Sequence, residues 1–479
     1  MGRRVPKGMT LSSEQNAIVR RMRGCRGSKA ACAFNRSIAD ELPEKMPPGV
    51  ICNTSNGFGH RAWCKHMDVK SIRPDGLKNR RICRELIGKA IEWKERQKIE
   101  AAVDQIVSLC KCYMFDPTTD ERTNWLERDT YGNGMDAINW LAIRFDIIAT
   151  PQVIDWALKT FKKSIEPNTF IDYNDQNFLP VYYDIDMPVF DHLLVDELQD
   201  LNRAKQMMAQ KMAREITGIG DQHQAIYGFS GADSDAMDNM RKMMGNCDTL
   251  PLTVTRRCPK EVVKLANHFV PELKAHEDAP DGIVRDISEG EFIKEVGSEP
   301  SMVMCRTNAP ITSLAFRMLA RGHRVYIQGR DIGSGIKAEI KRTGKDDLRE
   351  AIGEVHTRIE KKITEISCRD FPDENQIEAL YDKKRCIDIL AGDADTISEF
   401  NDLIDSLFKD KGSKNETRLS SVHKAKGLEH EKCYIYKRNK LMLNSKQQFQ
   451  REQERNLAYV AITRSMNELV NVYEESEDE

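Results

Sequence analysis

The chain has 479 residues, 40% of them hydrophobic, so it can form sizeable cores and is expected to contain about three structural units of roughly 150 residues each. Its 73 Lys and Arg against 75 Asp and Glu give a net charge of -2. This balance excludes a globally basic nucleic-acid binder, and any such surface must be local.

Two further classes are disfavoured by composition. The thirteen cysteines are scattered without a CxxC pair, which favours reduced thiols over a zinc site or a disulfide framework. The sequence contains neither a run of eighteen apolar residues nor a signal-peptide pattern. We therefore expect a cytoplasmic protein that does not span a membrane.

The N-terminal region contains the ingredients of a phosphate-binding loop in an unsuitable arrangement. Ser12 to Gln15 predict the start of a helix. The stretch MRGCRGSKAACAF, residues 22–34, then supplies two glycines, a serine and a lysine. Alanine follows Lys29 where a phosphate loop has a magnesium-binding hydroxyl, and the glycine spacing is too short. Residues 65–165 are mainly helical in character.

Between residues 188 and 255 the pattern changes to short apolar runs that end in polar residues, which is typical of buried parallel strands. Asp196 and Glu197 end the run Leu193–Val195, where carboxylates can hold Mg²⁺ and orient a water; an isolated acidic pair is more often a solvated strand end. Gln224 follows a second run, and the aromatics Tyr227 and Phe229 after it can stack on bases or serve as core residues in a glycine-rich turn.

Later segments repeat this alternation. SMVMCRTN and HRVYIQGRD read as strands, residues 335–415 as charged helix, and RLSSVHKAKGLEHEKCYIY, residues 418–436, as strands again. Helical insertions thus interrupt an α/β core. The tail EESEDE is expected to be disordered.

Five segments carry a family resemblance. VDELQD, GDQHQAIYGFSGAD, LTVTRRCPKEVVKLAN, SSVHKAKGLE and NLAYVAITRS, in this order, resemble motifs II to VI of the UvrD/Rep-like superfamily 1 DNA helicases. IDYNDQNFLPV, MCRTNAP and QGRDIGSG resemble the shorter phage and bacterial members. The resemblance implies an α/β fold of two RecA-like parallel-sheet domains, the first one incomplete, with ATP and Mg²⁺ as cofactors and single-stranded DNA as partner. The implied domains are 11–64 with 166–250 and 251–330 with 416–475, and the implied helical insertions are 65–165 and 331–415.

The resemblance also implies site residues. Asp196 would hold magnesium, Glu197 would act as catalytic base, Gln224 would sense the γ-phosphate, and Arg257 and Arg464 would be arginine fingers. Nucleotide contacts are implied for Gln15, Gly427, Glu429 and Arg256, the last in place of the usual stacking tyrosine. DNA contacts are implied for Phe34, Asn35, Thr54, Tyr227, Phe229 and His423.

One departure from the family pattern bears directly on function. The family has a strand, a Gly-x-x-x-x-Gly-Lys-Thr/Ser loop, a helix and a further strand between Gln15 and Phe34, a unit of about 30 residues or more. Only 18 residues separate these two positions. Thr54-Ser-Asn56-Gly-Phe-Gly also replaces the family's Thr-Phe-His-Ser-x-Gly, which weakens a DNA contact.

Three hypotheses follow. The chain is an ATP-dependent helicase that translocates on single-stranded DNA, or an ATPase-deficient homologue that binds DNA or protein, or a sequence that lacks a segment of its gene. We expect feeble ATPase activity at most.

Overall fold

The structure is a computed structural model that divides into two compact units, Met1–Pro251 and Leu252–Glu479. It describes residues 27–33, 36–88, 91–119, 134–228, 231, 235–245, 247–319, 321–367, 374–392, 394–409, 412–413, 415–443 and 448–474.

The first unit contains a four-stranded parallel sheet. Its strands are β1 (Lys29–Ala33), β2 (Ile51–Thr54), β3 (Phe190–Val195) and β4 (Ala213–Gly218), in the order β2-β1-β3-β4. Helices α1 (Arg36–Lys45) and α2 (Ser55–His66) follow β1 and β2, while α8 (Arg203–Lys211) connects β3 to β4 and α9 (Ala236–Met244) comes later. Because the strands are parallel, the residues that follow them meet at one edge, here called the carboxyl edge.

A helical region lies between β2 and β3 in the chain. It consists of α3 (Lys78–Ile87), α4 (Trp93–Tyr113), α5 (Gly134–Arg144), α6 (Pro151–Ser164) and α7 (Asp175–Tyr182). Thr150 begins α6 by accepting a hydrogen bond from the Val153 N–H, and Pro151 occupies the first turn, where its missing N–H costs nothing. Trp63, Ile106 and Phe161 belong to one buried core shared by this region and α2.

Four charged side chains are buried within the helical region. Lys111 Nζ lies 2.7 Å from Asp172 Oδ2 and 2.8 Å from Asp175 Oδ1, and Lys78 Nζ lies 2.7 Å from Asp175 Oδ2. Burial by itself would lower the pKa of Lys111, but the two carboxylates outweigh it and raise that pKa. The network therefore consists of two cations and two anions that compensate one another and join α3, α4 and α7.

The second unit contains two parallel sheets. The smaller pairs β5 (Val254–Thr255) with β6 (Lys274–Ala275). The larger consists of β7 (Ile283–Ser288), β8 (Met302–Cys305), β9 (Val325–Gln328), β10 (Phe408–Lys409), β11 (Thr417–Ser421), β12 (His430–Tyr436) and β13 (Ser465–Tyr473). Its order is β10-β9-β11-β8-β12-β13-β7.

The helices of the second unit are α10 (Lys260–Ala266), α11 (Glu289–Glu295), α12 (Ala309–Leu319), α13 (Arg330–Lys341), α14 (Leu348–Ser367), α15 (Glu374–Gly392), α16 (Ile397–Leu407), α17 (Val422–Ala425) and α18 (Gln448–Ile462). Capping boxes begin α11 and α16, with Ser288 and Thr396 as the N-caps. In α14, residues such as Val355 and Ile359 recur every three to four positions and face the core of the large sheet.

The α/β fold with parallel sheets and helical segments confirms the predicted fold class. The assignment of each segment to a RecA-like domain or an insertion stays a prediction. The ten cysteines whose side chains the structure describes are all free thiols. Among the described helices, none has the length and apolar character needed to cross a membrane.

Candidate nucleotide and DNA site

Asp196 and Glu197 lie at the carboxyl edge, directly after β3. The Asp196 N–H donates to the Cys32 carbonyl of the neighbouring strand over 3.0 Å, and Asp196 Oδ1 accepts from the Glu197 N–H over 3.0 Å. Glu197 has φ 53° and ψ 48°, a left-handed conformation that costs a non-glycine residue free energy. The chain therefore turns sharply at Glu197.

Gln199 connects the residues after β3 with those after β4. Its Nε2 donates to Glu197 Oε2, and its Oε1 accepts from the Asp221 N–H over 3.0 Å. The side chain is only 2% exposed. A Cβ on Gly220 would lie 2.5 Å from Gln199 Oε1, so this close approach requires glycine. Sequence reasoning assigned no role to Gln199, although its position two residues after Glu197 in VDELQD was a usable signal.

Gln224 is fixed at the same edge by a short 3₁₀ helix, Gln222–Gln224. Asp221 caps this turn by accepting from the His223 N–H, and its other carboxylate oxygen accepts from Gln224 Nε2 over 2.9 Å. The structure thus brings three predicted residues, Asp196, Glu197 and Gln224, to the ends of two adjacent strands.

Tyr227 is half-buried rather than fully exposed. Burial, together with the negative charges of Asp200 and Glu197, raises the pKa of its phenol. The hydroxyl therefore stays protonated at neutral pH. Phe229, its predicted partner in base stacking, lies outside the described residues.

The carboxylates of Asp196 and Glu197 suit a Mg²⁺ ion whose other ligands are waters and substrate phosphates. Within the described ranges, only His276, Glu277 and Asp278 form a group of three close metal-binding side chains, and these residues, the last two of them exposed, follow β6 in the second unit. Asp196 is therefore not part of an all-protein cage. Mg²⁺ usually takes one or two carboxylates together with waters and substrate phosphates, a pattern that Asp196 and Glu197 can satisfy.

The Gly-Ser-Lys sequence lies at the other end of the sheet. Lys29 begins β1 and pairs in register with His192, four residues before Asp196, which corresponds to about 13 Å along a strand. Ser28 donates through its N–H and its hydroxyl to Asp191 Oδ2, over 2.8 and 2.9 Å. Residues Gly27 to Lys29 therefore open a strand instead of cradling a phosphate beside Asp196.

Four predicted site residues, Gln15, Phe34, Asn35 and Phe229, lie outside the described residues, as does the segment 22–26. Thr54 is described and lies at the carboxyl edge. Its hydroxyl accepts from the Gly57 N–H over 3.0 Å and caps α2.

In the second unit, three predicted nucleotide-site residues come together. Arg257 Nε donates to Glu429 Oε2 over 2.6 Å, and both side chains are partly exposed. Gly427, two residues before Glu429, has φ +79°, a conformation that favours glycine. Arg256 is exposed after β5.

Arg464 is 1% exposed, and its guanidinium is held within the second unit. Nε donates to the Val460 carbonyl over 2.8 Å, Nη1 to the Leu428 carbonyl over 3.3 Å and Nη2 to Thr463 Oγ1 over 2.9 Å. Arg464 thus joins α18 to the loop that contains Gly427. Its role as an arginine finger stays a prediction.

His423, the remaining predicted DNA contact, is partly buried on α17. Burial and the nearby positive charge of Arg306 lower its pKa to about 4. Arg306 itself makes two hydrogen bonds to Glu454, of 3.0 and 2.7 Å. His423 is therefore neutral at pH 7, so it can offer a hydrogen bond but no positive charge to a phosphate.

Comparison with known proteins finds matches in both halves of the chain. Residues 79–245 match the UvrD/REP helicase N-terminal domain, and residues 252–476 match the UvrD-like helicase C-terminal domain. The ATP-dependent DNA helicase PcrA of Bacillus subtilis is 25% identical over 130 residues, which are 25% of this chain and 18% of that protein. A probable DNA helicase II homolog of Mycoplasma capricolum is 30% identical over 91 residues, which are 18% of this chain and 13% of that protein. Each match thus spans less than a fifth of the relative's length. With both domain matches and the ordered motifs in place, the chain belongs to the UvrD/Rep-like family of superfamily 1 DNA helicases.

Proposed function

We propose that this chain binds single-stranded DNA along the carboxyl edge of its first sheet and that it hydrolyses ATP feebly at most. The observation that carries the expectation of feeble hydrolysis is the position of Lys29, which pairs with His192 at the opposite end of the strands from Asp196; DNA binding is proposed from the family resemblance. Only 18 residues separate Gln15 from Phe34, too few for another complete loop unit.

Asp196 and Glu197 are suited to one half of the hydrolytic chemistry. Asp196 would hold Mg²⁺, and Glu197, fixed by Gln199, would orient or deprotonate a water. The other half, backbone N–H groups and a lysine around the β- and γ-phosphates, has no counterpart in the described part of the segment. Losing such groups costs several kcal/mol of transition-state stabilisation, which is orders of magnitude in rate.

A second candidate is the family's ATP-dependent translocation and duplex unwinding. The observation in its favour is that Glu197, Gln199, Asp221 and Gln224 form one connected hydrogen-bond network. On this hypothesis the sequence lacks a segment that encodes the phosphate loop.

Phosphate release from ATP decides between the two. The full chain is assayed with Mg²⁺ and with or without a single-stranded oligonucleotide, beside Glu197→Gln as the matched control. We expect the wild-type rate to equal that of Glu197→Gln. A DNA-stimulated rate that the substitution abolishes would establish the second candidate.

DNA binding is tested separately, by fluorescence anisotropy with a labelled oligo(dT). We expect affinity that weakens as salt rises, because phosphate contacts release counterions. The absence of affinity even at low salt would refute the DNA-binding half of the proposal.

A further inference from the structure

The residues that follow β12 form a basic turn in the second unit, here called the Lys437 turn: Lys437, Arg438, Asn439 and Lys440. Lys437 has φ 56° and ψ 55°, and a 3₁₀ turn, Arg438–Lys440, follows it. The Lys440 N–H donates to the Lys437 carbonyl over 2.9 Å. Three cations therefore lie within four residues on a hydrogen-bonded turn, and none of them belongs to the candidate nucleotide and DNA site.

The end of β13 lies beside this turn. Val472 pairs in register with Tyr436, the last residue of β12, so the chain leaves the sheet at Glu474 next to Lys437. One oxygen of the Glu474 carboxylate lies 2.6 Å from Lys437 Nζ, and the other lies 2.7 Å from Lys440 Nζ. Burial alone would raise the pKa of Glu474, but the two ammonium groups outweigh burial and lower that pKa. The Lys437 turn thus already binds one carboxylate of the C-terminal segment.

The positive charge of the turn exceeds the negative charge of Glu474. Three cations face one anion there. The Lys440 side chain is 56% exposed. Arg438 is half-buried, and its Nε is buried without a hydrogen-bond partner among the residues that the structure describes. A buried, charged donor without a partner costs free energy, so the turn would be stabilised by a further anion.

Further anions follow directly in the sequence. Residues 475–479, ESEDE, here called the acidic tail, contribute four carboxylates and lie outside the described residues. An extended chain advances by about 3.3–3.6 Å per residue, so carboxylates attached just after Glu474 are within reach of Arg438 and Lys440. The tether gives them an effective concentration on the order of millimolar. Exposed ion pairs are individually weak, which fits the disorder expected of this segment.

We propose that the acidic tail docks on the Lys437 turn through Arg438 and Lys440, and that nucleic-acid phosphates compete with it there. Phosphates and carboxylates accept the same charge-assisted hydrogen bonds from lysine and arginine. The docking does not depend on the proposed function. The competition rests on the proposed DNA binding and adds a regulatory element to it.

Docking is tested with a carbodiimide, which joins a carboxylate to a lysine amine that is in contact with it. The full chain is treated at low salt, and the joined residues are located by mass spectrometry. The bond between Lys440 and Glu474 is the internal reference, because these side chains are 2.7 Å apart. Bonds from Lys440 to the acidic tail are expected beside it, and they are expected to disappear at about 1 M salt, where the Debye length is about 3 Å. Mixing ¹⁵N-labelled and unlabelled chains identifies bonds between molecules.

Arg438→Gln separates docking from mere proximity. Arginine does not react with the carbodiimide, so this substitution changes only the attraction for the tail. It is expected to slow the joining of Lys440 to the tail about two- to fivefold, the loss of one exposed ion pair, while the Glu474 reference stays the same. Arg349→Gln, an exposed arginine on α14, is the matched control and is expected to change nothing. Tail bonds that form at the same rate in both variants would refute docking.

Competition is tested by fluorescence anisotropy with a labelled oligo(dT). A neutral-tail variant carries Glu475→Gln, Glu477→Gln, Asp478→Asn and Glu479→Gln. It is expected to bind oligo(dT) about two- to fivefold more tightly than the wild type at low salt, because the phosphates no longer have to displace carboxylates. In a chain that carries Arg438→Gln and Lys440→Gln, neutralising the tail is expected to leave the affinity unchanged.

The outcomes separate this inference from the proposed function. If the wild type does not bind oligo(dT), the proposed function fails, and the carbodiimide experiment still decides docking. If the neutral tail raises the affinity equally with and without Arg438 and Lys440, the tail repels DNA by its charge alone and competition at the Lys437 turn is refuted. An unchanged affinity in the otherwise wild-type chain also refutes it.

Discussion

At the carboxyl edge, the buried side-chain amide of Gln199 holds neighbouring residues in place. Gln199 donates to Glu197 and accepts from the Asp221 N–H, and Asp221 in turn fixes Gln224. Glu197 and Gln224, the predicted catalytic base and the predicted phosphate sensor, therefore share one support, even though 27 positions separate them in the sequence. Removing the Gln199 side chain would leave the Asp221 N–H without its acceptor, which costs free energy.

Gln199→Ala is predicted to lower the free energy of unfolding by about 1–3 kcal/mol, because the Asp221 N–H loses its acceptor and the Glu197 carboxylate loses a donor. Urea unfolding measures the change. Gln105→Ala, on the exposed side of α4, is the control and should cost nothing in an exposed helical position. Equal effects of the two substitutions would show that the bridge adds no stability.

His423 predicts a dependence of stability on pH. Its pKa is about 4 in the native state, against an ordinary value of 6.5. Between these values the unfolded chain binds a proton at His423 and the native protein does not, so stability falls as pH falls through this interval, by up to about 3 kcal/mol. His423→Gln should remove this contribution. Urea unfolding of both proteins at about pH 7 and about pH 5 tests this prediction. If the free energy of unfolding changes by the same amount between these pH values in both proteins, the assignment is contradicted.

At the level of whole elements, the sequence predicted the ends of the central strands but not their partners. The runs before Asp196 and Asp221 end in polar residues, and the structure places β3 and β4 there. The role of Lys29 could not be predicted, because its place in β1 depends on pairing with His192, far along the chain. The two-residue strand β10 is too short to leave a pattern in the charged helical segment around it. The buried network of Lys78, Lys111, Asp172 and Asp175 was hidden for the same reason, since spacing alone does not show which charges meet.

Lys111→Met is predicted to destabilise the first unit by about 3–5 kcal/mol, because it leaves Asp172 and Asp175 buried with fewer positive partners. Lys159→Met is the matched control: its ion pair with Asp155 lies on the surface, with both side chains about half exposed, and should be worth less than about 1 kcal/mol. Urea unfolding compares them. Equal, small losses would show that the network is not needed to hold α3, α4 and α7 together.

On the scale of the whole molecule, the chain contains segments that resemble motifs II to VI of its family, and its sequence departs from the family pattern at the phosphate loop. A bound nucleotide can change the affinity for DNA only if it binds two conformational states of the protein with different affinities. The family resemblance implies that nucleotide phosphates would supply that difference. Here the described Gly-Ser-Lys residues lie about 13 Å of strand away from Asp196.

We therefore predict that nucleotide does not change the affinity for DNA. Anisotropy titrations of oligo(dT) with and without Mg²⁺ and a non-hydrolysable ATP analogue should give dissociation constants within about twofold, a coupling free energy below about 0.5 kcal/mol. Asp196→Asn removes a negative charge from the edge after β3. In this variant, too, the dissociation constants with and without nucleotide should be close together. A shift of tenfold or more in the wild type that Asp196→Asn abolishes would show that nucleotide binds at the carboxyl edge without the loop, because only a ligand held at Asp196 responds to that change.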